Sequence, residues 1–559
     1  MSFPLSPEVT LLILSHLPFP SLSALARTSR LWHAFIETNE LEVYRNAAIR
    51  HFAVPSSTPF DNVKTTFSQR ALAGSTDWKS FCKVQLPIQQ AWLGKSASDL
   101  TYHGAAGENV YKIKVDERKG FIVVTTSMRQ RELRITDMNT GELVWALPEG
   151  YVSEAAHCEY HEGFVVFNRG SDLEVWKLVE QDGDEHVHAA SSPPDEAQFR
   201  AAATANSTFP KRKFTPWALL HPPPDATVSA FDLAYPTIVA GSSTDMHFWD
   251  VPSGSFLQTI NLGAGSGELR CLALSADGIA FVSDTLSLRG FSLATGLCVF
   301  DIPSTQYSYG DNSYTFEADE NQTGWLPDAI LKPQPVLHRL TSATPGRLVD
   351  QFWSVRLSEC GSHLVALLSS SRVIIVPFYR RVIDGVKSFR EIALDIQVGS
   401  PQGISKYLAL ESNRIGVATV RGIYVLSLDF ESCRDNMIYP PTIVTTRAAC
   451  FSASVGLNSL TSLQLGPTGI YFNWFTWSNP GFQSVSAQKL LPDDDREAAY
   501  VKSLSDERIT TRAENGDETV EVSGFQHVTY SLAAYSINLA PVLADDIQEA
   551  DEEPESEEQ

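Results

Sequence analysis

The sequence predicts a mainly β protein that begins with a small α-helical domain. Two observations support this fold class. Within the first 51 residues, apolar side chains recur at helical spacing in three short pieces that prolines separate. From about residue 86 onward, short runs rich in β-branched and aromatic residues alternate with turns that contain glycine.

The first predicted helix has apolar side chains on two of its sides. One face carries residues at i, i+3, i+4 and i+8, namely Val9, Leu12, Ile13 and Leu17, whereas Leu14 points to another side. A segment of 51 residues buries only a modest fraction of its surface when it folds alone. The surplus apolar face therefore predicts that this domain binds a partner protein.

The residues after the first helix follow a longer pattern. Leu22, Leu25, Ser29, Arg30 and Trp32 match the order Leu-x-x-Leu-x-x-x-Ser/Cys-Arg/Lys-x-Trp. Together with residues 5–9, this run resembles an F-box, the helical motif that docks onto the Skp-type adaptor of cullin-based ubiquitin ligases. The alternative is that these helices form a plain N-terminal cap on a larger fold.

The start of the first helix departs from the F-box pattern. Ser6 occupies the place where the family often has its first proline, and Pro7 follows one place later. Ser6 can still cap the helix, with Pro7 at the first helical position and Glu8 in the first turn. The resemblance implies that the adaptor contacts, and the small core beneath them, come from Leu5, Pro7, Glu8, Val9, Ile13, Leu17, Leu22, Leu25 and Trp32. We expect an F-box over residues 1–51.

Composition indicates a large soluble intracellular protein. Apolar residues make up 43% of the 559 positions, which is enough for a sizeable core. No uncharged apolar stretch reaches the roughly 18 residues that a membrane span requires. The seven cysteines are scattered and odd in number. This favours reduced thiols, and so the cytosol or the nucleus, over a disulfide framework.

The charge balance is strongly acidic. A net charge of −23 argues against nucleic-acid backbone as a ligand, since phosphate contacts need Lys and Arg. The last fifteen residues carry nine acidic side chains and no basic one. We therefore predict that residues 541–559 form a disordered acidic tail.

Residues 52–85 are predicted to form a helical linker. Prolines and serines lie on either side of a short stretch at 63–72 that has some helical character. Residues 77–82 resemble the closing helix of a fungal-type F-box linker.

A β-unit recurs along the rest of the chain. Residues 121–125 and 133–137 are followed by a turn that ends at Gly141 and by another β-run. The same order of run, turn and run surrounds Gly254 and Gly296, which are 42 residues apart. This step is the period of a four-stranded propeller blade. Residues 86–540 therefore predict a β-propeller of about seven blades, whose last strands, near 525–540, pair with an early strand.

Two of these units resemble degenerate WD repeats. The runs FWD at 248–250 and EVWK at 174–177 lie where that family ends its third strand. The family's Gly-His pair is missing from most units. The propeller prediction therefore depends on the period and on the strand chemistry.

Two long polar insertions, at 181–226 and 303–345, interrupt the predicted blades. The first is rich in acidic residues, serine and proline, which predicts disorder. The second carries aromatic residues among acids and glycines and is the better candidate for a target-binding loop. Candidate target contacts are Tyr309, Tyr314 and Trp325, together with Arg289, Arg356 and Arg421, each of which lies near a strand end in a different unit. The alternative is a loop packed on its own blade.

The motifs that could carry catalysis or bind a metal are incomplete. His157 and His161 share a strand face, but no second ligand pair has the spacing of a zinc site. The run GKS at 94–96 lacks the first glycine of a phosphate-binding loop, where Gln89 stands. We therefore predict a protein without catalytic activity, metal or cofactor.

Together these features predict a substrate-recognition subunit of an SCF-type E3 ubiquitin ligase. The F-box would bind the Skp-type adaptor and through it a cullin-RING ligase, while the propeller would hold an unknown target protein. A propeller scaffold that uses its F-box outside ubiquitination is the alternative, and a propeller hydrolase is a third possibility. Neither nucleic acid nor a membrane is expected as a partner.

Overall fold

The computed structural model describes most of residues 5–540. The positions outside the described part are 1–4, 53, 55–57, 69–70, 73, 97, 129, 180–187, 210–213, 225, 264–265, 307, 318–329, 332–333, 336, 341–349, 400–403, 431–432, 434–442, 449–453, 478–510, 513–517, 520–529 and 541–559. Trp325 and the predicted acidic tail therefore lie outside the described residues.

In the described part, six helices precede the first strand: α1 Pro7–Ser15, α2 Phe19–Ala26, α3 Arg30–Thr38, α4 Glu40–His51, α5 Phe60–Thr66 and α6 Trp78–Trp92. Their facing sides share one core, whose members include Leu14, Leu22, Ile36, Val43, Trp78 and Phe81. None of the described helices is long and apolar enough to cross a membrane.

Two of the N-terminal helices begin where hydroxyl side chains satisfy free backbone N–H groups. The Ser6 hydroxyl oxygen accepts from the N–H of Val9 at 3.5 Å, and Pro7 opens α1, which confirms the predicted start of this helix. The Ser29 hydroxyl oxygen accepts from the N–H of Trp32 at 3.2 Å and starts α3. The serine of the longer sequence pattern is therefore a helix cap.

Seven sheets of at least four strands follow the helices. The strands are numbered along the chain, beginning with β1 at Ser98–Tyr102. Blade 1 contains β2 Val110–Asp116, β3 Phe121–Thr126, β4 Leu133–Asp137 and β5 Leu143–Ala146. Blade 2 contains β6 Cys158–His161, β7 Phe164–Arg169, β8 Asp172–Leu178 and β9 Phe214–Leu220. Blade 3 contains β10 Ala230–Ala234, β11 Thr237–Gly241, β12 Asp245–Asp250 and β13 Ser255–Asn261.

The remaining blades have the same order of strands. Blade 4 contains β14 Leu269–Leu274, β15 Ile279–Asp284, β16 Ser287–Ser292 and β17 Cys298–Pro303. Blade 5 contains β22 Phe352–Leu357, β23 Leu364–Leu368, β24 Arg372–Val376 and β25 Leu394–Val398. Blade 6 contains β26 Ser405–Glu411, β27 Arg414–Thr419, β28 Gly422–Leu428 and β29 Ile443–Arg447. Blade 7 contains β30 Leu463–Gly466, β31 Gly469–Trp477, β34 Tyr530–Asn538 and, as its outer strand, β1.

Shorter elements connect or extend the blades. The strands are β18 Asn312–Glu317, β19 Ile330–Leu331, β20 Gln334–Pro335, β21 Leu337–Leu340, β32 Thr511–Arg512 and β33 Glu518–Thr519. The helices are α7 Glu196–Thr208, α8 Arg380–Ile383, α9 Phe389–Ile392 and α10 Ser454–Ser459, with a 3-10 turn at Gly104–Ala106.

The seven blades close into a ring. The first strands of successive blades contact each other from β2 through β6, β10, β14, β22, β26 and β30, and β30 returns to β2. In blade 7, β34 pairs antiparallel with β1, with Leu100 opposite Ile537 and Tyr102 opposite Tyr535. The predictions of a seven-bladed propeller and of a late strand that pairs with an early one are therefore confirmed.

The repeated glycines mark the same turn in three blades. Gly141, Gly254 and Gly296 have φ of +69°, +66° and +70°, each in the turn between the third and fourth strands of its blade. Glycine adopts this left-handed conformation without the clash that a Cβ atom causes. The two WD-like runs also lie in third strands, β12 and β8.

The prediction of a disordered insertion at 181–226 is wrong over much of its length. It contains α7, which begins with a capping box between Asp195 and Gln198, and β9, which completes blade 2. The alanine-rich α7 packs Ala201 and Ala205 into the core beside Phe214 of β9. Small helix-forming residues and one apolar run therefore give this segment a core that its overall composition hides.

The insertion at 303–345 runs along the outer edges of three blades. Its strand β18 pairs parallel with β25 of blade 5, and β21 pairs with β18. Farther along the ring, β20 pairs with β29 of blade 6 and β19 pairs with β1 of blade 7. This segment therefore covers backbone groups that an edge strand would otherwise expose.

Helix α6 joins the N-terminal helices to the propeller. Near its start, Phe81 lies in the helical core, and near its end, Trp92 lies in a core between blades 6 and 7. The Trp92 indole N–H donates to the carbonyl oxygen of Pro467 at 3.3 Å, and the guanidinium of Arg414 lies 4.5 Å from the indole ring centre. The predicted boundary between residues 85 and 86 falls inside this continuous helix.

Candidate docking surfaces

Helix α1 carries an apolar surface that the other described residues leave uncovered. Leu5, Val9, Leu12 and Ile13 remain 48%, 45%, 61% and 46% exposed. The spacing of Val9, Leu12 and Ile13 places these three on one side of the helix, and Leu5 lies just before the Ser6 cap. Leu14, on the other side, is completely buried. We call Leu5, Val9, Leu12 and Ile13 the α1 face.

The structure divides the predicted adaptor contacts into surface and core. Leu5, Pro7, Glu8, Val9 and Ile13 are exposed. Leu17, Leu25 and Trp32 are half-buried and pack against the helical core. Leu22 is completely buried and belongs to the core beneath the predicted contacts.

Sequence reasoning left Leu12 out of the predicted contacts, although it is the most exposed member of the α1 face. Its spacing of three residues from Val9 was the available signal. Beside this face, backbone hydrogen bonding and the Ser6 hydroxyl lower the pKa of the Glu8 carboxyl. Glu8 therefore places a negative charge at the N-terminus of α1, where the helix dipole favours it.

Residues 7–48 match the F-box-like family model. These helices are an F-box-like domain. The α1 face belongs to this domain. Residues from the first half of α6 pack in the core of the domain. No curated protein matches the chain by sequence.

Several solved structures are similar to this chain. A structure titled U3-55K has a TM-score of 0.39 at 8% identity and covers 67% of this chain and 90% of its own. The WD40 repeats of RRP9 have a TM-score of 0.39 at 9% identity and cover 67% and 89%. Hsv2 of Kluyveromyces lactis has a TM-score of 0.35 at 10% identity and covers 57% and 81%. The assignment of seven blades depends on the strand pairing of this chain and not on its similarity to these structures.

The two faces of the propeller differ in how they meet the F-box-like domain. Because neighbouring strands of a blade run in opposite directions, turns between first and second strands lie on one face and turns between second and third strands lie on the other. Pro467 and Arg414, which contact Trp92, belong to or border the first kind of turn. We call this side the linker face and the opposite side the distal face.

Four large apolar side chains are exposed near the distal face. Met128 and Leu286 lie in turns between second and third strands, Tyr102 ends the outer strand of blade 7, and Ile404 precedes the first strand of blade 6. They come from four different blades, three of which are neighbours in the ring. This arrangement suits a protein ligand that contacts several blades at once.

A network of charged side chains spans the wall of the central channel. Lys114 of blade 1 forms an ion pair with Glu159 of blade 2, and the Glu159 carboxylate also lies 2.7 Å from Nε2 of His157. Burial works to raise the pKa of Glu159, but Lys114 and His157 outweigh it and hold that pKa below its usual range. Burial lowers the pKa of His157 to about 4. This imidazole is therefore neutral at pH 7.

Lys112 lies in the same channel on the first strand of blade 1. Its ammonium donates to the carbonyl oxygen of Thr461 at 3.2 Å and lies 5.0 Å from the ring centre of Tyr407. Burial lowers the pKa of Lys112 to about 8. Sequence reasoning missed Lys112 and Lys114, although their alternation with Ile113 in β2 indicated that both point to one side.

The structure does not bring the three candidate arginines together. Arg356 lies near the linker end of β22 in the channel wall, where Nη1 is 3.2 Å from Sγ of Cys271. Arg289 forms a 2.8 Å ion pair with Asp284 in blade 4. Arg421 is exposed in a turn on the distal face of blade 6. Their role in target binding stays a prediction, and no common pocket for one ligand follows from their positions.

The two described tyrosines of the candidate loop are buried, which corrects the prediction that they border an interface. Tyr309 and Tyr314 are both 0% exposed. The Tyr309 hydroxyl donates to the carbonyl oxygen of Ser304 at 2.6 Å, and burial raises the pKa of this phenol. Tyr314 lies on β18 and packs in the core between blades 5 and 6. The alternative of a loop packed on its own blade fits both residues.

Proposed function

We propose that this protein is the substrate-recognition subunit of an SCF-type E3 ubiquitin ligase. The α1 face binds the Skp-type adaptor, which brings in a cullin-RING ligase, and the propeller binds the target protein. The observation that carries this proposal is an exposed apolar α1 face on an F-box-like domain that a continuous helix joins to a closed seven-bladed ring. F-box-like and propeller domains are typical of non-catalytic subunits, so the chain itself makes or breaks no bond of the target.

The α1 face has the chemistry of a protein interface. Four neighbouring aliphatic side chains stay in water when the chain is alone, at a cost of about 25 cal/mol for each Å² of apolar surface. A partner that covers them recovers this free energy. The core beneath supports the face, because Leu14 packs with Leu22 and Ile36 directly under α1.

The distal face is the proposed site of the target. Exposed apolar side chains occur on both faces, but the linker face is partly covered by Trp92 and the end of α6. Because α6 has one end in each core, the target and the adaptor are held at a fixed separation. Such positioning raises the effective concentration of a target lysine at the transfer site.

The proposed compartment is the cytosol or the nucleus. Cys82 and Cys158 are buried free thiols, and Cys271, Cys298 and Cys360 are also unpaired. Thiols in this state suit a reducing compartment.

Binding of a purified Skp-type adaptor tests the proposal. The double variant Val9→Asp with Ile13→Asp places two charges on the α1 face without changing a buried position. We expect its Kd for the adaptor to rise at least about a hundredfold, since burying an unpaired charge costs several kcal/mol. The matched control, Leu286→Asp, changes an equally exposed residue of the distal face and keeps the Kd of the unaltered chain. Equal Kd values for both variants would contradict the assignment of the α1 face.

Capture of a cullin separates the proposal from the alternative. A scaffold that acts outside ubiquitination binds the adaptor but does not retain a cullin in pulldowns of the full chain. A substrate receptor retains the adaptor, the cullin and the target together.

A further inference from the structure

A serine followed by proline stands at the edge of the α1 face. Ser6 is exposed and lies directly before Pro7, between Leu5 and the first turn of α1. In the other Ser-Pro and Thr-Pro pairs of the described residues, Thr58 and Ser192 are half-buried and Thr215 is buried. Among the described Ser-Pro and Thr-Pro pairs, Ser6 is therefore the one whose residue before proline is exposed.

The backbone at Ser6 is extended, with φ of −65° and ψ of 153°. A proline after a serine favours this conformation and removes a backbone N–H donor. The Ser6 hydroxyl makes a long contact with the Val9 N–H at 3.5 Å, while its carbonyl oxygen accepts from the Thr10 N–H at 3.0 Å. An enzyme that binds extended Ser-Pro therefore has to open only the first turn of α1.

We propose that Ser6 is a phosphorylation site for a proline-directed protein kinase, and that phosphate on Ser6 weakens docking at the α1 face. The Ser6 Oγ attacks the γ-phosphorus of ATP, an O–P bond forms, and the bond from that phosphorus to the leaving ADP breaks. The hydroxyl proton passes to a base of the kinase. This inference rests on the proposed function, because it concerns the binding of the adaptor.

The expected effect follows from where the phosphate lies. A phosphoserine carries a charge of about −1.5 to −2 at pH 7. On Ser6 that charge is next to Leu5 and one helical turn from Val9, two apolar side chains that must lose water when a partner covers them. It also adds to the negative charge of Glu8. The N-terminus of a helix favours an anion, so α1 stays folded and the effect falls on docking.

The first measurement asks whether Ser6 accepts phosphate in the folded chain. The full chain is incubated with a purified proline-directed kinase and ATP, and mass spectrometry follows the modification of Ser6 and Ser192. We expect Ser6 to react about ten times faster or more, because the Ser192 hydroxyl is half-buried and donates to the Gly254 carbonyl oxygen at 2.6 Å, so its reaction requires local opening. Modification of Ser6 at the rate of Ser192 or slower would overturn the inference.

The second measurement compares two full chains that differ only in phosphate. One carries phosphoserine at position 6, the other is unmodified, and each is titrated with a purified Skp-type adaptor. We expect phosphate to raise the Kd about tenfold or more, with an unchanged or raised thermal midpoint, and phosphoserine at position 192 to leave the Kd unaltered. An unchanged Kd with phosphate on Ser6 overturns the inference and leaves the proposed function standing. An unmodified chain that fails to bind the adaptor contradicts the proposed function, and the inference with it.

Discussion

The first helix of the F-box-like domain and the second strand of blade 1 use apolar residues in opposite ways. In β3, all six residues from Phe121 to Thr126 are buried, because neighbouring strands and blades cover both faces. In α1, Leu14 is buried while Leu12 stays 61% exposed. Both segments are rich in apolar side chains, so composition does not distinguish them. The two segments differ in how much of their apolar surface the chain itself covers. Strand β3 is fully covered and serves the fold, whereas α1 keeps an exposed apolar surface that can also bind a partner.

Loss of ring closure should produce the largest loss of stability among the changes tested here. A chain that stops at residue 520 lacks β34, which lies between β31 and β1 in blade 7. We expect this chain to lose the cooperative unfolding of the propeller, because blade 7 then has no third strand and the ring stays open. Circular dichroism during thermal unfolding measures the loss.

The control for this truncation is a chain that stops at residue 540. It keeps β34 and lacks only residues 541–559, so its unfolding should match that of the full chain. A chain that stops at 520 and still unfolds like the full chain would contradict the role of β34 in closure.

Loss of adaptor binding without loss of fold is the next expected effect. Leu5→Ala together with Pro7→Ala removes two exposed side chains at the start of α1. Anchors of an interface cost about 2 kcal/mol or more each when they are truncated, so adaptor co-purification should disappear. The thermal midpoint of the propeller should stay unchanged. Full adaptor binding by this variant would contradict the proposal that the adaptor docks on the F-box-like domain.

The sequence predicts much of the F-box-like domain because its signals are local. The Ser6 cap, the serine of the Ser29 pattern and the helical spacing of Val9 and Ile13 all lie within a few residues of the structure that they specify. The glycine turns of the blades are local in the same sense. These features therefore appear in the structure where the pattern placed them.

The sequence does not predict contacts that join distant parts of the chain. Tyr309 and Tyr314 are buried because β18 adds a parallel strand to β25, about eighty residues later, and no local pattern marks such a pairing. The contact of Trp92 with Pro467 depends on the closed ring in the same way. The predicted exposure of Tyr309 and Tyr314 is wrong for this reason, whereas the predicted adaptor surface consists of residues that are near one another in sequence.

A buried carboxylate between blades 1 and 7 offers a smaller test of closure. Glu117 accepts from the Thr468 N–H at 3.1 Å, from the Thr468 hydroxyl at 2.6 Å and from the Tyr471 hydroxyl at 3.0 Å. Glu117→Ala removes the acceptor of these three buried hydrogen bonds and should lower the free energy of unfolding by about 3 kcal/mol in urea titrations.

Glu142→Ala is the matched control for this position, because Glu142 is an exposed acid in the same blade. It should change the free energy of unfolding by less than about 0.5 kcal/mol. A second variant, Gly466→Ala, places a Cβ atom in steric conflict with Oε1 of Glu117 and should also destabilise the ring. Equal stability of the Glu117 and Glu142 variants would show that closure does not depend on this carboxylate.

The smallest expected effect is a pH dependence of the free energy of unfolding, which arises from His157 in the channel wall. Burial lowers the pKa of His157 from 6.5 to about 4. The unfolded chain therefore binds this proton more readily, so His157 contributes stability above pH 6.5 and loses it as the pH falls toward 4. About a third of the imidazole is exposed, which limits the effect to no more than about 2 kcal/mol.

His157→Gln should reduce the loss of stability between pH 6.5 and 4 in urea titrations, because the substituted side chain does not titrate. The control is His221→Gln, since His221 is well exposed and leaves the channel intact. If both variants lose stability with the same pH dependence as the unaltered chain, protonation of His157 does not couple to the fold.

Quantitative mass spectrometry of captured partners tests the central claim most directly. The full chain and the Val9→Asp, Ile13→Asp variant are each used to capture proteins from the same cells. The account predicts that adaptor and cullin disappear from the variant, whereas the protein held by the propeller is captured equally by both chains. Retention of adaptor and cullin by the variant, or loss of every partner together, would contradict a division of labour between the α1 face and the propeller.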